Sequence, residues 1–388
     1  MKKLFFLISH PIQYYVPWFI ELNKQMPFEV LYCSDETIHG YVDKQFGTAI
    51  KWDTPLLDGY SYSFMKNNSF KPSIYNGFMG LLNLEIVPII WKNRKQGVVF
   101  VHGWDRATYI LMVVSCWLFG MKYIIHAENP LNQELRKSKI NRGVKQVVLR
   151  VLLKNAYKVA YIGQQNKAFF KYYGAIEDQL IFTPYSVDNN TFDHKYQQLL
   201  SRKQELQSTL LTGINAKKII LFSGKLIDKK RPMDLLRAFA LLNDPQTGIV
   251  FMGDGALRAE MEAFIKENNV TNCLITGFVN QSKVSDYFVC ADIFALPSGD
   301  GETWGLVVNE AMNFGLPLVC SDAVGSTYDL IQDNGLIYPC GDIDALKTSL
   351  QRLIHDAELC TKMGKRSKEI IANYSNEVRA NNLIKSLN

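Results

Sequence analysis

Short runs of β-branched and aromatic residues alternate with helical patterns along this 388-residue chain, and the alternation stops and restarts once. The first set of runs is Leu4–Ser9, Glu29–Cys33, Val98–His102, Tyr123–His126, Lys158–Ile162 and Leu180–Thr183. Helical spacing lies between them, as at Tyr15–Gln25 and Val144–Asn155. The second set is Lys218–Ser223, Gly248–Met252, Cys273–Thr276, Ile293–Leu296, Pro317–Ser321 and Leu336–Tyr338, separated by helical patterns such as Pro232–Leu242 and Leu257–Asn268. A helix between two strands brings the chain back to pair in parallel, so each set predicts a doubly wound parallel sheet. The expected class is α/β with two Rossmann-like domains, residues 1–190 and 217–367. Residues 191–216 read as a polar linker, and 368–388 as a C-terminal helix.

The rest of the composition narrows the setting. The chain is long enough for two cores, and its net charge of +6 does not by itself mark a nucleic-acid binder. Seven cysteines without CxxC spacing suit a reduced, cytoplasmic protein. The opening MKKLFFLISH carries too short an apolar run for a signal peptide and reads as a first strand. Tyr109–Ile125 falls short of the ~18 uninterrupted apolar residues of a membrane span, because Gly120 and Lys122 break it. A helix Ala107–Phe119 followed by a strand Lys122–His126 is the expectation there.

Ligands of parallel α/β sheets bind at the carboxyl ends of strands. Two of the second domain's strand ends carry the strongest chemistry. After Leu296 comes PSGDGETWGLVVNEAMNFGLP, with Glu302 in a glycine-bearing loop and Glu310 in the first turns of a helix. Between them the amides of Gly305 and Leu306 open that helix, a natural seat for an anion. After Phe222 comes SGKLIDKKRP, where Lys225 and Lys230 can neutralise a diphosphate. Carboxylates flanking a phosphate seat suit a ligand with hydroxyls at both ends and phosphate between them.

The run Glu302-x7-Glu310, with Gly305-Leu306, Glu310-Ala311-Met312 and Gly315-x-Pro317, resembles the donor site of retaining glycosyltransferases of family 4, the glycosyl transferases group 1. That family has the GT-B fold, two Rossmann-like domains facing across a cleft. The resemblance is close over about Lys218–His355. It implies that Glu310 accepts from ribose hydroxyls, Glu302 holds the transferred sugar, and Gly305 and Leu306 hold the distal phosphate. Gly224-Lys225 and Lys230 look like the family's Gly-Arg-Leu-x3-Lys run, with Lys225 where Arg is usual. Met252-Gly253-Asp-Gly resembles the turn near the nucleotide, and Gly277-Phe278-Val279 the segment that meets the nucleobase. The C-terminal helix would cross back onto the first domain.

In the first domain, His126 ends a strand and stands where relatives often carry a His that meets the donor sugar. Glu128 follows two residues later and could meet the acceptor or orient His126. Instead of the family's Gly-Gly turn, the first strand leads into Ser9-His10-Pro-Ile-Gln13, whose polar groups are candidates for the acceptor. His102 and Asp105 are weaker candidates by position. The expected catalytic set is His126, Glu302, Lys225 and Lys230, without metal or cofactor; Asp342-x-Asp344 resembles a metal motif but opens a helix, where the dipole accounts for it.

The expected partners are a nucleotide-sugar donor and a glycan or polyprenyl-linked acceptor. A basic stretch interleaved with valines and leucines, residues 136–158, suits equally a core-packed helix and one lying on the anionic inner face of a membrane. Two other functions are open to such a chain. A non-catalytic sugar-nucleotide-binding subunit would not need the whole charged set. A dinucleotide oxidoreductase would want G-x-G-x-x-G after the first strand, where no glycine occurs.

Overall fold

The computed structural model describes residues 3–38, 41–43, 48–50 and 55–387. It divides into two compact units, one around Pro55–Tyr185 with the strands of residues 3–38 and the helix from Asn376, the other around Ser186–Ser375. In chain order the strands are β1 (Lys3–Ile8), β2 (Phe28–Tyr32), β3 (Tyr41–Asp43), β4 (Thr48–Ile50), β5 (Tyr62–Phe64), β6 (Gly97–His102), β7 (Lys122–His126), β8 (Lys158–Tyr161) and β9 (Leu180–Phe182). They continue as β10 (Lys218–Ser223), β11 (Thr247–Met252), β12 (Cys273–Gly277), β13 (Ile293–Leu296), β14 (Leu318–Ser321) and β15 (Gly335–Tyr338).

The first unit is a seven-stranded parallel sheet in the order β5-β2-β1-β6-β7-β8-β9, and β3 and β4 make a separate two-stranded sheet. Helices cover both faces, so β1 buries five residues in succession. Its side chains alternate between two cores. Phe5 and Leu7 join Val99, Val101 and Tyr123 on one face, while Leu4, Phe6 and Ile8 join Trp18 and Phe100 on the other. Phe6 is ringed by Trp18, Phe19, Phe28 and Phe100 at centroid distances of 5.0–5.3 Å. Each such buried side chain contributes roughly 1.5–3 kcal/mol of apolar transfer. The apolar stretch near residue 120 divides as expected, into the helix Ala107–Phe119 and β7. No helix of the described residues is long and apolar enough to cross a membrane.

The second unit is a six-stranded parallel sheet in the order β12-β11-β10-β13-β14-β15. The stretch expected as a linker belongs to it. The helix Asn189–Leu200 donates from Lys195 to the Ser282 carbonyl at 3.1 Å, and the helix Lys203–Leu210 from Gln207 to the Cys290 carbonyl at 2.8 Å and from Lys203 to Asp292 at 2.9 Å. Residues 368–371 also differ from expectation, because they finish the helix Ala357–Ile371, whose Ser367 donates to the Leu316 carbonyl. The last helix begins at Asn376 and packs into the first unit, burying Arg379, Ala380, Leu383 and Leu387. Its Asn382 donates to the Phe182 carbonyl at 3.0 Å.

Both sheets reverse their direction of growth once, between β1 and β6 in the first and between β10 and β13 in the second. Loops leaving adjacent strands at such a point part in opposite directions and open a crevice.

Candidate active site

In the second unit the crevice lies between the loops after β10 and β13, and two of the expected residues bridge it. Lys230 Nζ donates to Glu302 Oε2, and the Gly299 amide donates to the Lys229 carbonyl at 2.7 Å. Glu302 is 7% exposed. Burial alone would raise its pKa, but the charges of Lys230 and Lys229 outweigh that and hold it below the usual carboxylate range. The loop is clamped from the other side too. The Gly325 amide donates to the Glu302 carbonyl at 3.0 Å and the Ser326 amide to that of Trp304 at 3.1 Å. Glu302 is thus a fixed, ionised acceptor.

Gly305 adopts φ +86 as the N-cap of the helix Leu306–Asn313, and a Cβ there would lie only 3.1 Å from Leu296 Cδ2 and 3.2 Å from Val324 Cγ1. The first helical bond runs from the Val308 amide to the Gly305 carbonyl at 2.9 Å. The Gly305 and Leu306 amides precede it and stand among the N-terminal donors a helix cannot pair for itself. Inside that helix Glu310 is buried, 4% exposed. On the opposite side of the crevice, a Cβ on Gly253 would lie 1.9 Å from the Gly224 carbonyl, so the turns after β10 and β11 touch through backbone alone. Gly253 bridges Gly277 in turn, with Phe278 and Val279 half-buried beyond it. Lys225 is half-buried next to Gly224. Every expected donor residue therefore stands at the carboxyl edge of this sheet, after β10, β11, β12 or β13. Asp342 is engaged elsewhere, capping the helix Ile343–His355 by accepting from the Ala345 amide at 2.9 Å.

The first unit gathers a second cluster at its own reversal. His102 ends β6, and its Nε2 lies 3.0 Å from Glu128 Oε1, which also accepts from the Tyr185 hydroxyl. The Tyr15 hydroxyl sits 3.2 Å from His102 Nε2. Burial would raise the Glu128 pKa, but His102, Tyr185 and the Arg379 charge together hold it low. His126 is fully enclosed, its ring 4.9 Å from that of His102 and its Nδ1 donating to the Ala160 carbonyl at 3.2 Å. Burial, then the His102 and Arg379 charges, keep it neutral. The partly exposed imidazole at Glu128 is therefore His102, the weaker candidate by sequence, while His126 lies beneath it. His10 accepts from or donates to the Ser9 hydroxyl at 2.8 Å, and burial with His102 and Arg106 lowers its pKa to about 4. Gln13 opens the short helical turn that leads to Tyr15.

Tyr15, Tyr185 and Arg379 were not legible as site residues. Arg379 lies on the last helix, and no local pattern ties it to the rest. His102, His126 and Glu128 offer ligand atoms within 4.8 Å of one another, a donor set that a transition metal could use. Glu128 is already bonded to His102 and Tyr185, and the buried Arg379 supplies the positive charge beside it. The cluster is neutralised from within the chain.

Comparison with known proteins bears on the second unit most directly. Residues 212–370 match the family model described as glycosyl transferases group 1. Sulfoquinovosyl transferase SQD2 of Arabidopsis thaliana is 30% identical over 193 residues, 48% of this chain and 36% of that protein. The amylovoran biosynthesis glycosyltransferase AmsK of Erwinia amylovora is 36% identical over 146 residues, 34% of this chain and 35% of that protein. The matched stretch is thus about a third of each relative's length. The crystal structure of Anabaena Alr3699/HepE in complex with UDP superposes over 100% of this chain and 99% of its own, with a TM-score of 0.73 at 17% identity. The chain has the GT-B fold, and its residues 212–370 are similar to the glycosyl transferases group 1 family.

Proposed function

We propose that this chain is a retaining, metal-independent glycosyltransferase of family 4. It moves a hexose or N-acetylhexosamine from a nucleotide diphosphate sugar, a UDP-sugar first among them, to a glycan or polyprenyl-linked acceptor in cell-surface polysaccharide or glycoconjugate synthesis. The observation that carries this reading is the Lys230–Glu302 pair across the β10–β13 crevice, set beside the N-terminus of the helix Leu306–Asn313. In this reading Glu310 accepts from the ribose hydroxyls and Glu302 from the transferred sugar. Lys225, Lys230 and the helix N-terminus take up the negative charge that grows on the departing diphosphate. The names of the Arabidopsis and Erwinia relatives support sugar transfer, and the UDP in the Anabaena structure supports a uridine donor. His10, Gln13 and the His102–Glu128 pair would receive the acceptor.

A lipid-linked acceptor fits a further feature. The helix Lys139–Lys154 buries Leu149, Leu152 and Leu153 but turns a second apolar stripe outward: Ile140 (80% exposed), Val144, Val147 (68%), Val148 and Val151. Arg136, Lys137, Lys139, Arg150 and Lys154 are exposed on or beside it. Trp117 donates to the Tyr123 hydroxyl, which donates to the Leu152 carbonyl, so the exposed Trp117 and Leu118 adjoin the stripe's last turn. Apolar residues flanked by basic ones suit an anionic bilayer, each cation adding about 1 kcal/mol near the surface. We read this face as the one that rests on the cytoplasmic side of the membrane.

The test is release of nucleoside diphosphate from UDP-, GDP- and ADP-sugars without acceptor, in EDTA. Release from one of them is expected. Activity that returns only with Mn²⁺ or Mg²⁺ would overturn the metal-independent reading, and neither release nor nucleotide binding with any donor would overturn the whole.

A further inference from the structure

Arg379 is the one cation in the chain whose side chain is fully enclosed among the described residues, at 0% exposure. Such a charge is costly to bury, by several kcal/mol unless the surroundings compensate it. No acceptor meets its nitrogens at full hydrogen-bond geometry. Its guanidinium lies instead 3.7 Å from the Trp18 ring centroid, 5.0 Å from that of Tyr15 and 5.5 Å from that of Tyr185. The last two rings carry the hydroxyls that engage the cluster. Tyr185 donates to Glu128, and Tyr15 touches His102.

We propose that Arg379 is a positioning residue for the His102–Glu128 pair, fixing the two phenols that engage it. The last helix thereby completes the acceptor-side site from the far end of the chain. This inference rests on the transferase reading above for its kinetic consequence, but not for its structural one.

The geometry explains why a guanidinium serves here. A flat, delocalised, weakly hydrated cation stacks on Trp18 and stays charged at every physiological pH, which a lysine ammonium in the same place would not do. Glu128 is faced by His102 from β6, His126 from β7, Tyr185 after β9, Tyr15 from the first helical turn and Arg379 from the last helix. His10 and Arg106 act on His102 from the loops beside it. Among these groups Arg379 is the buried permanent cation.

The experiment compares the full-length chain with Arg379→Met and Arg379→Lys. Arg379→Met is expected to lower kcat tenfold to a hundredfold, the scale of a misplaced catalytic group. It should move the acid limb of kcat/KM to higher pH, since Glu128 loses the charge that keeps it ionised, and leave UDP affinity within twofold. Arg379→Lys should restore the acid limb in part. A fall in activity that only tracks the folded fraction, with the pH profile unchanged, would overturn the proposal. If Arg379→Met does not fold, Tyr185→Phe, which keeps the ring and removes the hydroxyl, is expected to move the same limb, and an unmoved limb overturns the proposal. If the native chain transfers no sugar, the histidine ring NMR signals decide. Arg379→Met should shift those of His102 and His126 and leave His194 and His355 in place, and unshifted signals overturn it.

Discussion

Lys230 and Glu302 show what the pair costs and contributes. The carboxylate is nearly enclosed, and removing its cation leaves a charge that burial penalises; breaking such a pair typically costs about 3–5 kcal/mol. Lys230→Ala should therefore lower the melting temperature more than the double variant Lys230→Ala/Glu302→Gln, which leaves no stranded charge. Equal melting temperatures in the two would show that the pair is solvated rather than buried. A second residue-scale expectation concerns His10, whose pKa is lowered from 6.5 to about 4, mainly by burial. A histidine held neutral contributes its stability in full above pH 6.5 and loses it as the pH falls toward 4, because the unfolded chain takes up the proton first. His10→Gln should flatten the decline in unfolding free energy across that window, measured by urea titration at several pH values. A decline of the same slope in the variant would place the titrating group elsewhere.

At the scale of elements, much was legible because the signal is local. Within β1 the run Leu4–Ile8 is continuously apolar because both its faces are covered, and the helix at Ala107–Phe119 stops at Gly120, which takes a left-handed backbone conformation at φ +74. The edge strand Tyr62–Phe64 was not legible. It is short, half-exposed and pairs on one side only, so neither length nor burial marks it. Residues 191–216 misled for a related reason. Their helices bury little, chiefly Phe192 and Leu206, and attach through polar side chains that meet backbone carbonyls. The loops after β10 and β13 were readable because glycines and charges cluster within a few residues of each strand end. The cluster in the first unit was only half readable, since Tyr15, His102, Glu128, Tyr185 and Arg379 are scattered from one end of the chain to the other. The helix Lys139–Lys154 yields a test at this scale. Val144→Asp combined with Val147→Asp should abolish sedimentation with vesicles containing phosphatidylglycerol while leaving nucleotide affinity unchanged. Undiminished sedimentation would mean that the outward stripe does not meet lipid.

For the whole molecule, each unit places its charged or titratable groups where its sheet reverses, with a lysine–carboxylate pair beside a helix N-terminus in one and an imidazole–carboxylate pair in the other. That division has a stereochemical consequence. Retention through a glycosyl-enzyme would need a free carboxylate beneath the anomeric carbon. Glu302 is committed to Lys230, and Glu128 to His102 and Tyr185. Substitution on the face that the diphosphate leaves, with the phosphate taking the acceptor's proton, requires no such group. An α-linked donor should then give an α-linked product by proton NMR, and a β-linked product would contradict the proposed retention. The central claim to test is that the second unit holds a nucleoside diphosphate between Glu310 and the N-terminus of the helix Leu306–Asn313. Calorimetry in EDTA measures this directly, with UDP, GDP and ADP titrated into the native chain and into Glu310→Ala. The account predicts binding of one nucleotide, weakened tenfold or more in the variant, because hydrogen bonds to a charged group are worth about 1.5–3 kcal/mol each. Equal affinity in a folded Glu310→Ala, or no binding of any nucleotide by the native chain, would contradict it.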